Sequence, residues 1–225
     1  MQLTDIFARS RFVFLDGGMG TQLTARGLQP GQKPELAALT MPETLTAIHR
    51  DYAQAGAEIL CANTFGANPR KLAGAGCTVD QVVAASIACA RAAADETGAL
   101  VALDVGPLGE LLAPAGTLAF EDAVDQFAQV VEAGVKAGAD LVFLETMTDL
   151  YELKAALLAV REHSRLPVFA SMSFESRGRT FTGCTVDSSA ATAVGLGADA
   201  VGINCSLGPA ETLRFIRRLC RLVPA

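Results

Sequence analysis

Ala137-Gly138-Ala139-Asp140-Leu141-Val142-Phe143-Leu144-Glu145-Thr146-Met147-Thr148-Asp149 is the stretch that decides the fold. Gly138 can take the left-handed conformation that stops a helix and turns the chain back. Leu141 to Leu144 are then apolar without alternation, as a strand buried on both faces requires. Glu145 ends the run with a polar group. Asp149 and Glu152 cap and begin a helix in which Leu150, Leu153, Leu157 and Val160 recur at three- and four-residue spacing. Helix, glycine, buried strand, polar tip and next helix make one βα unit of a parallel sheet.

The unit recurs along the chain. Six segments read as strands: 12–16, 58–63, 100–105, 141–145, 168–173 and 200–205. Gly56, Gly98, Gly138 and Gly197 precede four of them, and the first three lie roughly 40 residues apart, room for a strand, a helix and their loops. Helical periodicity runs through Phe120, Val124, Phe127, Val131 and Val135, and through Val83, Ile87, Ala90 and Ala94. Thr78 with Gln81, and Thr40 with Glu43, have capping-box spacing. In parallel strands the tips Asp16, Asn63, Glu145, Ser173 and Cys205 gather at one rim, where α/β proteins build their sites.

Repeated βα units leave an open sheet or a barrel. No G-x-G-x-x-G follows the first strand, so a dinucleotide fold has little support. A (βα)8 barrel takes about 250 residues; about six units fit in these 225. Residues 1–225 are expected to form one domain. The Gly- and Pro-rich segment 17–40 is long for a βα loop and reads as a binding loop.

Composition narrows the function. Hydrophobic residues make up 51%, charged residues 19%, and the net charge is −6. Without a basic run, nucleic acid is not an expected partner. The mean hydropathy of +0.34 fits a doubly covered parallel sheet. No apolar stretch approaches the ~20 residues of a membrane span. Residues 1–10 lack a signal-peptide core, so the expected location is cytoplasmic. Six scattered cysteines without C-x-x-C argue against a disulfide framework, and most are expected to be small buried side chains.

Four places carry candidate chemistry. Asp16-Gly17-Gly18-Met19-Gly20-Thr21 follows the first strand: a turn, or a carboxylate for a cation beside amides that approach a ligand. Glu145 follows four buried apolar residues, where an unpaired charge costs several kcal/mol; it is a structural carboxylate or a functional one. Asn63 and Thr64 bond a polar substrate or shape a turn. Cys205, ending Ala200-Val201-Gly202-Ile203-Asn204-Cys205, is a small buried side chain or a zinc thiolate. Cys61 reads as a buried inert thiol and Cys184 as a loop residue near the rim. His49 and His163 read as helix surface or end residues rather than ligands. A catalytic zinc needs three protein ligands, and Cys205 is the one strong candidate.

At these residues the chain resembles the homocysteine S-methyltransferase family, and most of all its methionine synthase branch. The resemblance is carried, in order, by Leu15-Asp16-Gly17-Gly18-Met19-Gly20-Thr21, Ala62-Asn63-Thr64-Phe65, Asp104-Val105-Gly106-Pro107, Glu145-Thr146-Met147-Thr148-Asp149, Gly178-Arg179-Thr180 with Thr182-Gly183, and Gly202-Ile203-Asn204-Cys205-Ser206-Leu207-Gly208-Pro209. It implies a TIM-type (βα)8 barrel, here without its last two βα units. It implies transfer of a methyl group to the thiol of homocysteine, giving methionine. Asp16 and Glu145 would hold the substrate ammonium, and amides of Gly17, Gly18 and Met19 its carboxylate. Asn63 and Asn204 would shape the pocket, and Cys205 would bind Zn2+. The family's other two zinc ligands, an adjacent cysteine pair, are absent from these residues. So is the cobalamin-binding Asp-x-His-x-x-Gly motif; methylcobalamin as donor would come on another module or chain, a corrinoid protein. An open barrel edge would allow oligomerisation. Two alternatives stand: a non-catalytic barrel that needs a partner chain, and a metal-independent enzyme using Asp16 and Glu145 as acid and base.

Overall fold

The computed structural model describes Ala8 and residues 12–223. Its chain divides into two compact units, one of Met1–Asp104 with Glu132–Leu141 and one of Val105–Val131 with Val142–Ala225.

In the first unit the order is α1 (Met19–Ala25), a 3-10 turn (Pro34–Leu36), α2 (Ala37–Thr40), α3 (Pro42–Gln54), β1 (Ile59–Cys61), α4 (Pro69–Leu72), α5 (Val79–Thr97) and β2 (Leu100–Val105). Strands β1 and β2 pair in parallel, Ile59 opposite Leu100 and Cys61 opposite Ala102. All six residues of β2 are buried: its apolar run Leu100–Leu103 demands it, and Asp104 is buried with them. Helix α3 packs on α5, and Leu23, Leu28, Ala37, Ala38, Leu45, Ile48 and Cys89 form an apolar cluster. The Thr78–Gln81 capping box is present at α5, and Gly98 ends that helix at φ 78°. The expected box at Thr40–Glu43 is not formed. Pro42 opens α3, Met41 becomes its N-cap, and the Thr40 hydroxyl donates back to the Leu36 carbonyl.

The expected first strand, 12–16, is reduced to one parallel bridge between Leu15 and Ile59. The cause is local. Cys61 N–H, which would continue the ladder, donates instead to the Asp16 carboxylate at 3.0 Å. Strand 58–63 likewise shortens to Ile59–Cys61, because Thr64 N–H turns back to the Ala62 carbonyl.

Helix α6 (Phe120–Ala137) runs from the second unit's residues into the first's. The second unit continues with β3 (Leu141–Met147), α7 (Leu150–His163), β4 (Val168–Met172), α8 (Val186–Gly195), β5 (Ala200–Ile203) and α9 (Pro209–Leu222). Strands β3, β4 and β5 pair in parallel, Val142 opposite Val168 and Phe169 opposite Ala200. Asp149 caps α7 through Tyr151 N–H and Glu152 N–H. Strand 200–205 ends early, at Ile203, where Cys205 turns to φ 54°.

A repeated device sets strand register. Gly56-Ala57-Glu58, Gly138-Ala139-Asp140 and Gly197-Ala198-Asp199 each put a positive-φ glycine two residues before an acid. Each acid donates its own N–H to the start of a neighbouring segment: Glu58 to the Phe14 carbonyl, Asp140 to Val101, Asp199 to Val168. Each side chain then accepts the N–H of that same neighbour, at 3.2, 2.7 and 2.8 Å. A two-bond clamp at the strand start leaves one register available.

Among the described residues no helix is long and apolar enough to cross a membrane. The expectation that most cysteines are buried is overturned. Cys89 is buried, Cys61, Cys77 and Cys184 are half-buried, and Cys205 and Cys220 are exposed. Cys205 sits past the end of β5 and Cys220 points out from α9, so neither has a sheet to cover it.

Candidate active site

In the second unit, Glu145, Asn204 and Cys205 come together. The register of β3 on β4 slips between Leu144 and Met147, a bulge of the kind that re-aims side chains at strand ends. It falls on Glu145 and Thr146. Asn204 knots the site. Its Nδ2 donates to Glu145 Oε2 at 2.5 Å, to Thr146 Oγ1 at 2.8 Å and towards Cys205 Sγ at 3.5 Å. Its Oδ1 accepts from Thr146 N–H at 3.0 Å and from the Ser171 hydroxyl at 2.8 Å. Ser173 donates to the Asn204 carbonyl at 3.0 Å, fixing the peptide that leads into Cys205.

Two of these residues are strained. Thr146 at φ 59° and Cys205 at φ 54° are the two non-glycine residues with positive φ among the described residues. The left-handed region costs an L-residue about 1–2 kcal/mol. Both flank this one asparagine network, which supplies the hydrogen bonds that hold them there.

In the first unit, Asp16 is the candidate carboxylate. Its side chain is 2% exposed, and its Oδ2 lies 3.9 Å from His49 Nδ1. His49 is not the helix-surface residue expected from its place in α3. It is fully buried, and neither ring nitrogen has a hydrogen-bond partner among the described residues. Burial pulls its pKa down to about 4, so the ring is neutral near pH 7 in spite of the nearby carboxylate. Gly17 lies against Tyr52: a Cβ there would sit 3.0 Å from the ring and from its hydroxyl oxygen. The Tyr52 hydroxyl donates to the Gly18 carbonyl at 3.2 Å; burial, then the charge of Asp16, push its pKa up. Gly18 is exposed and caps α1, and Met19 leans on the apolar cluster. Asn63 is buried and donates to the Pro34 carbonyl at 2.7 Å, so its amide nitrogen fastens segment 17–40. His163 is exposed at the end of α7, as expected, and Cys184 is half-buried in its loop.

Thr146, Ser171, Tyr52 and the buried His49 are the site neighbours that pattern reading misses. The His49-to-Cys61 relation through Asp16 has no local sequence signal at all.

Among the described residues no three His, Cys, Asp or Glu side chains gather as a metal site. A catalytic zinc takes three protein donors, and Cys205 supplies one thiolate. The described residues by themselves therefore do not fit a catalytic zinc ion.

The sequence pattern of homocysteine S-methyltransferases matches residues 13–225. The chain belongs to the homocysteine S-methyltransferase family. It is 34% identical to methionine synthase of Mycobacterium tuberculosis over 97% of its own length and 20% of that protein, and 32% identical to methionine synthase of Mycobacterium leprae over 92% and 18%. It thus spans about a fifth of the curated relatives it matches. Among solved structures it resembles the metallated homocysteine methyltransferase MmuM of Escherichia coli, with TM-score 0.86 and 25% identity over 98% of this chain and 83% of that one. The apo form matches with TM-score 0.79. The fold class read from the sequence, a TIM-type parallel α/β barrel covered in part, holds for this family member.

Proposed function

We propose that residues 1–225 form one homocysteine-binding methyltransferase domain of a methionine synthase, which transfers a methyl group to the homocysteine thiol. The observation that carries this reading is the Glu145–Asn204–Cys205 cluster. It places a half-buried carboxylate, an amide and an exposed thiol on a bulge and two strained residues. Such strain persists only where surrounding contacts hold it, and it clusters at active sites.

Glu145 receives the substrate ammonium, and an ion pair in a partly dry site fixes the amino-acid end; the family resemblance assigns an ammonium-binding role to Asp16 as well. The amides around Gly17, Gly18 and Met19 receive the carboxylate. The thiol must lose its proton to become the reactive nucleophile. Cys205 is proposed as one zinc ligand, the remaining donors coming from outside the described residues. Zinc would supply Lewis acidity that favours the thiolate. The methyl donor in the methionine synthase reading is methylcobalamin carried by a corrinoid module. Six cysteines without disulfides among the described residues accord with a reducing, cytoplasmic setting.

The test uses the full chain. Glu145→Gln should raise KM for L-homocysteine about 10-fold or more, as loss of a charge-assisted bond of about 1.5–3 kcal/mol requires. Equal KM in parent and variant overturns the assignment.

A further inference from the structure

Ser171 is buried in the middle of β4, 4% exposed, opposite Gly202 of β5. A hydroxyl there has no place in an apolar strand unless it is bonded, and its hydrogen goes to Asn204 Oδ1 at 2.8 Å. A side-chain amide has two orientations related by a half-turn. In the one observed, Oδ1 faces two donors, Thr146 N–H and the Ser171 hydroxyl, while Nδ2 faces the Glu145 carboxylate at 2.5 Å. The other orientation would set an amide oxygen against a carboxylate oxygen and an NH2 group against a backbone N–H. Thr146 N–H, which only donates, and the Glu145 carboxylate, which only accepts, select this orientation, and the Ser171 hydroxyl, the one side-chain donor to Oδ1, adds the bond that holds the amide in it.

We propose that Ser171 is a positioning residue of this active site: its hydroxyl locks the Asn204 amide so that Nδ2–H holds the Glu145 carboxylate in place for the ammonium group of an L-amino acid. The proposal rests on the reading that Glu145 receives that ammonium. Ser171 touches neither substrate nor the reacting sulfur. Its effect falls on substrate binding rather than on the methyl-transfer step. A merely structural serine would move stability and leave the amide unaffected.

Two readouts in the full chain test this. The first is hydrogen exchange of the Asn204 side-chain amide by NMR, without substrate. The second is KM against kcat for L-homocysteine. In Ser171→Ala, exchange should speed up about 5-fold and KM should rise about 5-fold, the size of one lost hydrogen bond of about 1 kcal/mol, with kcat within about 2-fold. Ser171→Thr, which keeps the hydroxyl, should retain parental exchange and KM. If the alanine variant fails to fold, Ser171→Cys, a weaker donor of similar size, should give intermediate exchange. Unchanged Asn204 exchange in the alanine or cysteine variant overturns the proposal. Should Glu145→Gln leave KM unaltered, the ammonium reading fails, while the amide exchange still decides whether Ser171 orients Asn204.

Discussion

His49 gives the sharpest prediction because its burial, partners and charge state are all set by tertiary structure. In an unfolded chain a histidine titrates near 6.5; here burial lowers that to about 4. The sign follows directly. Between these values the unfolded chain binds a proton that the folded one refuses, so stability is full above pH 6.5 and is lost as the pH falls towards 4. The shift of about 2.5 pH units corresponds to about 3 kcal/mol between pH 7 and pH 4. The ring is fully buried, so solvent screening does not reduce this figure. The Asp16 carboxylate at 3.9 Å favours the charged ring, and burial outweighs it. His49→Phe keeps a planar ring and removes the titration. Urea unfolding followed by circular dichroism at pH 7, 6, 5 and 4 should show the parent losing about 3 kcal/mol more than the variant over that range. At pH 7 the variant should be at least as stable, since two buried nitrogens without partners disappear. A parent-minus-variant difference that stays constant to within about 0.5 kcal/mol from pH 7 to pH 4 refutes the reasoning.

Other expectations follow from the same packing. Asp140→Ala removes the acceptor of Val101 N–H and of Arg91 and should cost about 2 kcal/mol in urea unfolding, whereas Lys136→Ala, which breaks an exposed pair with Asp80, should cost under about 0.5 kcal/mol. Gly134→Ala would drive its methyl group into the side chain of the buried Leu103 and should destabilise by about 1–3 kcal/mol; thermal unfolding reads this as a lowered Tm. Cys205→Gly relieves the positive φ and should match or exceed the parent in stability, by up to about 1 kcal/mol, while metal analysis of the full-length protein should show zinc lost. Full zinc occupancy in that variant would remove Cys205 from the ligand set.

Much of the fold was legible because its signals are local. Gly98, Gly138 and Gly197 stop helices wherever they sit, since a positive φ belongs to the residue and not to its neighbours. The buried run of β2 and the Thr78–Gln81 cap were readable for the same reason. The Gly-Ala-acid repeat was visible as letters, yet its clamp function was not, because the acceptor serves a strand some 30 to 45 residues away. Thr40–Glu43 misled because Pro42 claims the first helical position. The first strand misled because a side chain, that of Asp16, takes over a backbone ladder position.

The order of residues by itself determined the parallel βα architecture, the strand tips that carry polar groups, and the family. These depend on periodicity and on short motifs, which need no knowledge of what lies opposite. Tertiary structure alone decided that His49 is buried and neutral, that Asn63 holds a loop, that Cys205 is exposed at a strained φ, and that Ser171 and Thr146 set the amide of Asn204. Each of these depends on burial or on a hydrogen bond between residues tens of positions apart, and such pairings exist only once the strands have found their register.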